Sequence, residues 1–189
     1  MITIKIIYHS GYNHTKKQAE HVKIGADKVD NTKVDLVTTE EAIKDIDQFA
    51  NVDAIIFGSP TYMGSVSADF KQFMDASSSA WFNRSWKDKI AAGFTNSGSM
   101  SGEKMNTLNT FIAFAMQHAM IWVGQAELDG SPKEEPGKPD AINRIGSALG
   151  AMAQSIQLSP DQTSASSGDL KTAEILGQRV ANITKKFKS

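Results

Sequence analysis

The chain has 189 residues, 40% hydrophobic and 22% charged, a balance that suits one soluble domain with a substantial core. Twenty Lys and Arg against 21 Asp and Glu leave a net charge of −1, which argues against a nucleic-acid binder and against a carrier that docks through a strongly acidic surface. Cysteine is absent, which excludes disulfides, thiolate zinc sites, cysteine-held iron–sulfur clusters and a cysteine nucleophile.

The amino terminus, "MITIKIIYHS", does not read as a secretory signal, and no apolar run approaches the ~20 residues of a membrane span, so a cytoplasmic location is expected. Ile2 to Tyr8 reads as a first buried strand, followed by "HSGYNHT" and a helix near Thr15 to Ala26. Lys33 to Val37 is a shorter second strand. "VDAIIFGSP" (Val52 to Pro60) is the clearest, because Ala54-Ile55-Ile56-Phe57 can be buried on both faces of a parallel strand. A helix at Ser67 to Ser78, a strand at Lys89 to Gly98 and a helix at Glu103 to Gln117 follow.

Ala119 to Gln125 is the expected fifth strand. A closing helix at Asp169 to Lys186 carries an apolar stripe of Leu170, Ala173, Leu176, Val180 and Ile183. Residues 126–168 break the alternation: "LDGSPKEEPGKPD" holds three of the five prolines, and the region reads as an excursion over the active face or into a neighbouring subunit. Strands alternating with helices of this length define an α/β fold with a parallel sheet covered on both faces, within one domain spanning 1–189.

Ligands of open α/β sheets bind at the carboxyl ends of the strands, and here those ends carry three loops of Ser, Thr, Gly and Asn. The first, Ser10, Gly11, Tyr12, Asn13, His14 and Thr15, suits a phosphate: hydroxyls at Ser10 and Thr15, left-handed backbone tolerated at Gly11 and Asn13, and a helix N-terminus behind. The second, Pro60, Thr61, Tyr62, Met63 and Gly64, suits a flat aromatic ring met by two polarizable side chains. The third, Asn96, Ser97, Gly98 and Ser99, supplies backbone donors for such a ring. No Gly-x-x-x-x-Gly-Lys or Gly-x-Gly-x-x-Gly occurs, nor a Gly-x-Ser-x-Gly elbow. A phosphate at one loop and a flat heterocycle between the other two describes flavin mononucleotide (FMN).

"AIIFGSPTYMGSVSADFKQFMD", with "FTNSGSMSG" and "MQHAM", resembles the flavodoxin-like superfamily. It is most similar to the tryptophan-repressor-binding-protein type of NAD(P)H:quinone oxidoreductases and to the NADPH-dependent FMN reductases. The resemblance covers about Ile2 to Val123 and the last helix. It implies a three-layer sandwich with a five-stranded sheet in order 2-1-3-4-5. It also implies bound FMN, NADPH or NADH as hydride donor, a quinone-like acceptor, and a homodimer or homotetramer. By the same resemblance Trp81 faces the substrate, and His118 is a catalytic donor to a quinone oxygen. The sequence departs from the family at Asn13, where Gly is usual, and in the loop after the fifth strand.

No metal site is expected, since His9, His14 and His21 have no metal-like partners. Two other classes stay open. One is a one-electron carrier, to which the eight carboxylates against three lysines between Asp27 and Asp53 are relevant; the other is a flavodoxin-fold protein without catalysis.

Overall fold

The computed structural model describes residues 1–130, 137–155 and 165–189. The parts of the expected excursion at 131–136 and 156–164 lie outside the described residues. Three apolar runs make the centre of the sheet: β1 (Ile2–Tyr8), β3 (Ala54–Tyr62) and β5 (Ile90–Ser97). Every residue of β3 up to Thr61 is buried, as a parallel strand covered on both faces requires. β2 (Thr32–Thr38) flanks β1 with all pairings parallel, and β4 (Ser65–Val66) folds back on the end of β3 as a two-residue hairpin strand.

The order is β2-β1-β3-β5-β6, with β6 spanning Ile121–Trp122 and a further strand, β7 (Ala151–Gln154), also on β5. The flavodoxin-like order expected for the core therefore holds, with a larger sheet of seven strands. The expected fifth strand is corrected. Only Ile121 and Trp122 pair with the start of β5, whereas Ala151–Gln154, from inside the presumed excursion, takes the other half against Phe94–Ser97. Backbone proximity explains the division. A Cβ on Gly124 would stand 2.4 Å from the Ala148 carbonyl oxygen, and one on Gly150 would stand 2.2 Å from that of Gly93. The chain leaves the edge at the first glycine and returns through the second.

Two helices, α1 (His14–Asp27) and α6 (Ser167–Lys188), close one face over Ile4, Ile6, Val22, Leu176 and Val180. The other face holds α2 (Thr39–Lys44), a 3-10 turn at Ile46–Phe49, α3 (Ala68–Ala76), α4 (Ser78–Phe82) and α5 (Lys104–Gln117). Its core is aromatic: Phe57, Phe70, Phe73, Trp86, Phe111 and Phe114, with Phe70 and Phe111 centroids 4.9 Å apart. The short α2 was not anticipated, yet its start is encoded locally, because Thr38 and Glu41 form a reciprocal capping box. On the opposite face Glu174 of α6 meets Lys28, just past the end of α1, and His21 of α1, which, with Lys171, hold its carboxyl pKa down to about 2.

Candidate functional site

The first loop leads into α1 with no side chain capping the helix and no acidic residue in its first turn. Asn13 is left-handed at φ 62°, as its short amide permits. Ser10 Oγ accepts from Lys16 N–H at 3.1 Å, while the N–H groups of Gly11, Tyr12 and Asn13 have no acceptor among the described residues. The first turn carries Lys16 and Lys17 where the helix dipole disfavours cations, an arrangement that an adjacent anion would relieve. Gly11 is not left-handed; its value is space, because a Cβ there would stand 2.7 Å from the Tyr62 hydroxyl. Beside this loop a cleft of about 370 Å³ opens toward β2, lined by His9, Ser10, Asn13, Lys16, Thr39 and Asp69 among others.

Thr15 reaches across to the third loop. It is 1% exposed, and its Oγ1 accepts from Asn96 Nδ2 at 2.8 Å. Asn96 Oδ1 in turn accepts from Ser155 Oγ at 3.1 Å. Thr15 and Asn96 thus brace the first loop against the third, with the Thr15 oxygen as acceptor and its O–H proton not used in that bond.

β3 continues through Pro60, and Thr61 is buried in a line of hydroxyls. Thr95 Oγ1 donates to the Ser59 carbonyl at 2.7 Å, so it accepts from Thr61, which must then accept from Thr107. This line fixes the base of the second loop against β5 and α5. The tip is a two-residue hairpin turn with Met63 at φ 47° and Gly64 at φ 85°. A left-handed methionine that is also fully exposed is costly, and such strain concentrates at ligand sites. Asn106 Nδ2 donates to the Gly64 carbonyl at 2.7 Å. Tyr62 is 39% exposed, and burial, with Tyr12 and Asp69 nearby, raises its phenol above the ordinary value. It keeps its proton in the neutral range.

The third loop is held from behind by residues that no sequence motif singles out. Lys104 is fully buried, and its Nζ donates to Ser97 Oγ and to the Ser99 and Met100 carbonyls at 3.0, 2.7 and 2.8 Å. Gln154 of β7 donates to the Gly98 carbonyl at 3.2 Å. Behind them Arg144 and Asp169 form a two-pronged buried ion pair, with Nε–Oδ1 and Nη2–Oδ2 both 2.8 Å.

Trp81 and His118 are not brought to these loops. α3 starts beside the second loop and, at about 1.5 Å per residue, carries the chain toward the amino ends of the strands. Trp81 on α4 therefore lies at the far edge, 45% exposed. His118 follows α5, just before β6, and is 3% exposed. Its ring stacks on Trp86 with centroids 4.1 Å apart, and its Nε2 lies 3.0 Å from Ser77 Oγ. Within the chain His118 is a core residue. Burial, with Arg84 nearby, pushes its pKa from 6.5 down to about 4. Between those values the unfolded chain binds the proton that the folded ring refuses, so the folded state loses stability as pH falls through that window. His118→Phe is expected to flatten this part of the stability–pH profile, measured by urea unfolding at intervals from pH 7 to 4. An unchanged slope would show that the ring is not held neutral.

Parallel β-strands in this order, with three polar loops at their carboxyl ends, define a flavodoxin-like protein. The chain belongs to the NADPH-dependent FMN reductase family, whose profile matches residues 15–133. It is 39% identical over 181 residues to the flavodoxin FldP of Pseudomonas aeruginosa, covering 94% of each chain. To the quinone oxidoreductase QR2 of Triphysaria versicolor it is 28% identical, covering 98% of this chain and 96% of that one. Among solved structures, a flavodoxin, WrbA-like protein from Agrobacterium tumefaciens superposes with a TM-score of 0.73 at 36% identity, over 98% of this chain and 99% of that one. These likenesses place the chain in the flavodoxin-like, WrbA and FMN reductase type of flavoprotein oxidoreductase.

Proposed function

We propose that the chain binds FMN across its three loops and transfers reducing equivalents from NADPH or NADH to a quinone-like acceptor. One observation carries the reading. Two runs of backbone N–H groups without an acceptor among the described residues, at 11–13 and 99–101, stand at the same sheet edge on either side of the strained Tyr62-Met63-Gly64 tip. The first run, at a helix N-terminus flanked by lysines, suits the phosphate; Tyr62 and Met63 suit the face of the ring; the second run suits its oxygens and nitrogens. FMN itself would supply the hydride chemistry. The residues of the chain bind and orient it, and none of the four histidines is assigned a proton to transfer.

A homodimer or homotetramer belongs to the same reading, since the exposed Trp81 and Phe82 would meet an active face only across an interface with another copy. The likeness to a protein named flavodoxin favours a second reading, a one-electron carrier.

An anaerobic titration separates the two. Protein saturated with FMN is expected to lose its visible flavin band on addition of NADPH or NADH, and to regain it with a benzoquinone. Bound flavin that neither nucleotide reduces would leave the carrier.

A further inference from the structure

The third loop owes its shape to Lys104. Its ammonium and the Gln154 amide together draw three successive carbonyls, of Gly98, Ser99 and Met100, to one side of the loop. In a planar trans peptide the N–H points opposite to the C=O. The N–H groups of Ser99, Met100 and Ser101 are therefore turned the other way, and none has an acceptor among the described residues. Gly102, left-handed at φ 51°, keeps Ser97 Oγ within reach of the ammonium, because a Cβ there would stand 2.2 Å from that oxygen.

The charge has a second consequence. Arg144 and Asp169 neutralise each other in their ion pair, and Glu103 is exposed, so Lys104 leaves one net positive charge buried behind the donors. Burial, with Arg144 adding to it and Asp169 and Glu103 opposing, lowers its pKa to about 8, so it remains charged at neutral pH. A ring that accepts a hydride takes two electrons and one proton, and so gains one negative charge. The fixed positive charge favours that form.

We propose that Lys104 is a positioning residue that turns the 99–101 amides toward the FMN ring and biases the bound ring toward its two-electron-reduced, negatively charged form. This rests on the FMN reading and adds to it the group that sets the charge behind the ring.

The test uses full-length protein loaded with FMN and the variants Lys104→Gln and Lys104→Met. FMN affinity is read by quenching of flavin fluorescence and the midpoint potential by dye equilibration. The variants are expected to bind FMN more weakly and to move the potential negative, the ratio of reduced to oxidised affinity falling roughly tenfold. Folded variants with unchanged affinity and potential would overturn the proposal. Should neither variant fold, the unaltered protein decides: the slope of potential against pH is expected to break at or above pH 8, as Lys104 loses its proton. A constant slope from pH 7 to 10 would overturn it. Failure of the unaltered protein to bind FMN at all would instead remove the cofactor reading, and this inference with it.

Discussion

Replacing Asp169 with alanine is expected to destabilise the fold by about 3–5 kcal/mol, because it leaves the Arg144 guanidinium buried without its counter-charge. Asp169 is 1% exposed and holds three donors: Arg144 Nε and Nη2, each at 2.8 Å, and the backbone N–H of Gln154 at 2.9 Å. The loss would not stay local. Gln154 is the residue that grips the Gly98 carbonyl, and Arg144 also reaches Met100 Sδ at 3.6 Å, so the third loop loosens with the pair. Urea unfolding gives the stability, and FMN titration the effect on the site. The double variant Arg144→Met with Asp169→Leu should recover much of the stability without restoring the loop. A single variant within about 1 kcal/mol of the parent would show that the pair is not the anchor described.

Gly177→Ala is expected to cost about 3 kcal/mol, a large effect for one methyl group on a helix, where alanine is ordinarily the better residue. The reason lies between α1 and α6. A Cβ on Gly177 would stand 1.9 Å from the Val22 carbonyl oxygen, and a Cβ on Gly25 would stand 1.8 Å from that of Glu174. The two backbones touch through reciprocal glycines, and no side chain can rotate away to make room. The helices would have to separate, opening the core around Val22, Ala173 and Val180. Gly25→Ala should behave alike. Full stability in either variant, measured by thermal and urea unfolding, would mean that the helices slide at little cost.

Both examples bear on what can be read from a sequence. The centre of the sheet was legible, because Ile4 to Tyr8, interrupted only by Lys5, and the apolar runs Ala54 to Phe57 and Ile90 to Phe94 have the length and β-branched or aromatic content of buried strands. The three loops were legible too, since their Ser, Gly and Asn content marks where a chain leaves such strands. The edge was not. Whether Val123 to Gln125 continue a strand depends on where residues 148–150 return, a contact that local pattern does not carry. Lys104 stands in "GEKMNTL" like any lysine in the first turn of a helix, and only the curl of the preceding loop buries it. Thr15 and Asn96 have the right chemistry for a ligand, and local pattern does not show that they also brace each other. Trp81 and His118 were placed by resemblance, which aligns positions along a chain and says nothing of which end of the sheet they occupy.

The divided edge of the sheet carries one more implication, for the order in which the molecule gives way. Among the described residues β7 pairs on one side only, with β5, and it meets that strand across some 57 positions of sequence, from Phe94 to Ala151. Strands so placed close late and open early, by sub-global fluctuations that leave the central β1-β3-β5 ladder intact. Yet this strand supplies the Gln154 amide and leads to the Ser155 hydroxyl, the clasps on Gly98 and Asn96. Release of a short peripheral strand would therefore unlatch the third loop without unfolding the domain. In hydrogen exchange, Gln154 and Ser155 should lose protection together, well before Ile55 and Ile56 at the centre.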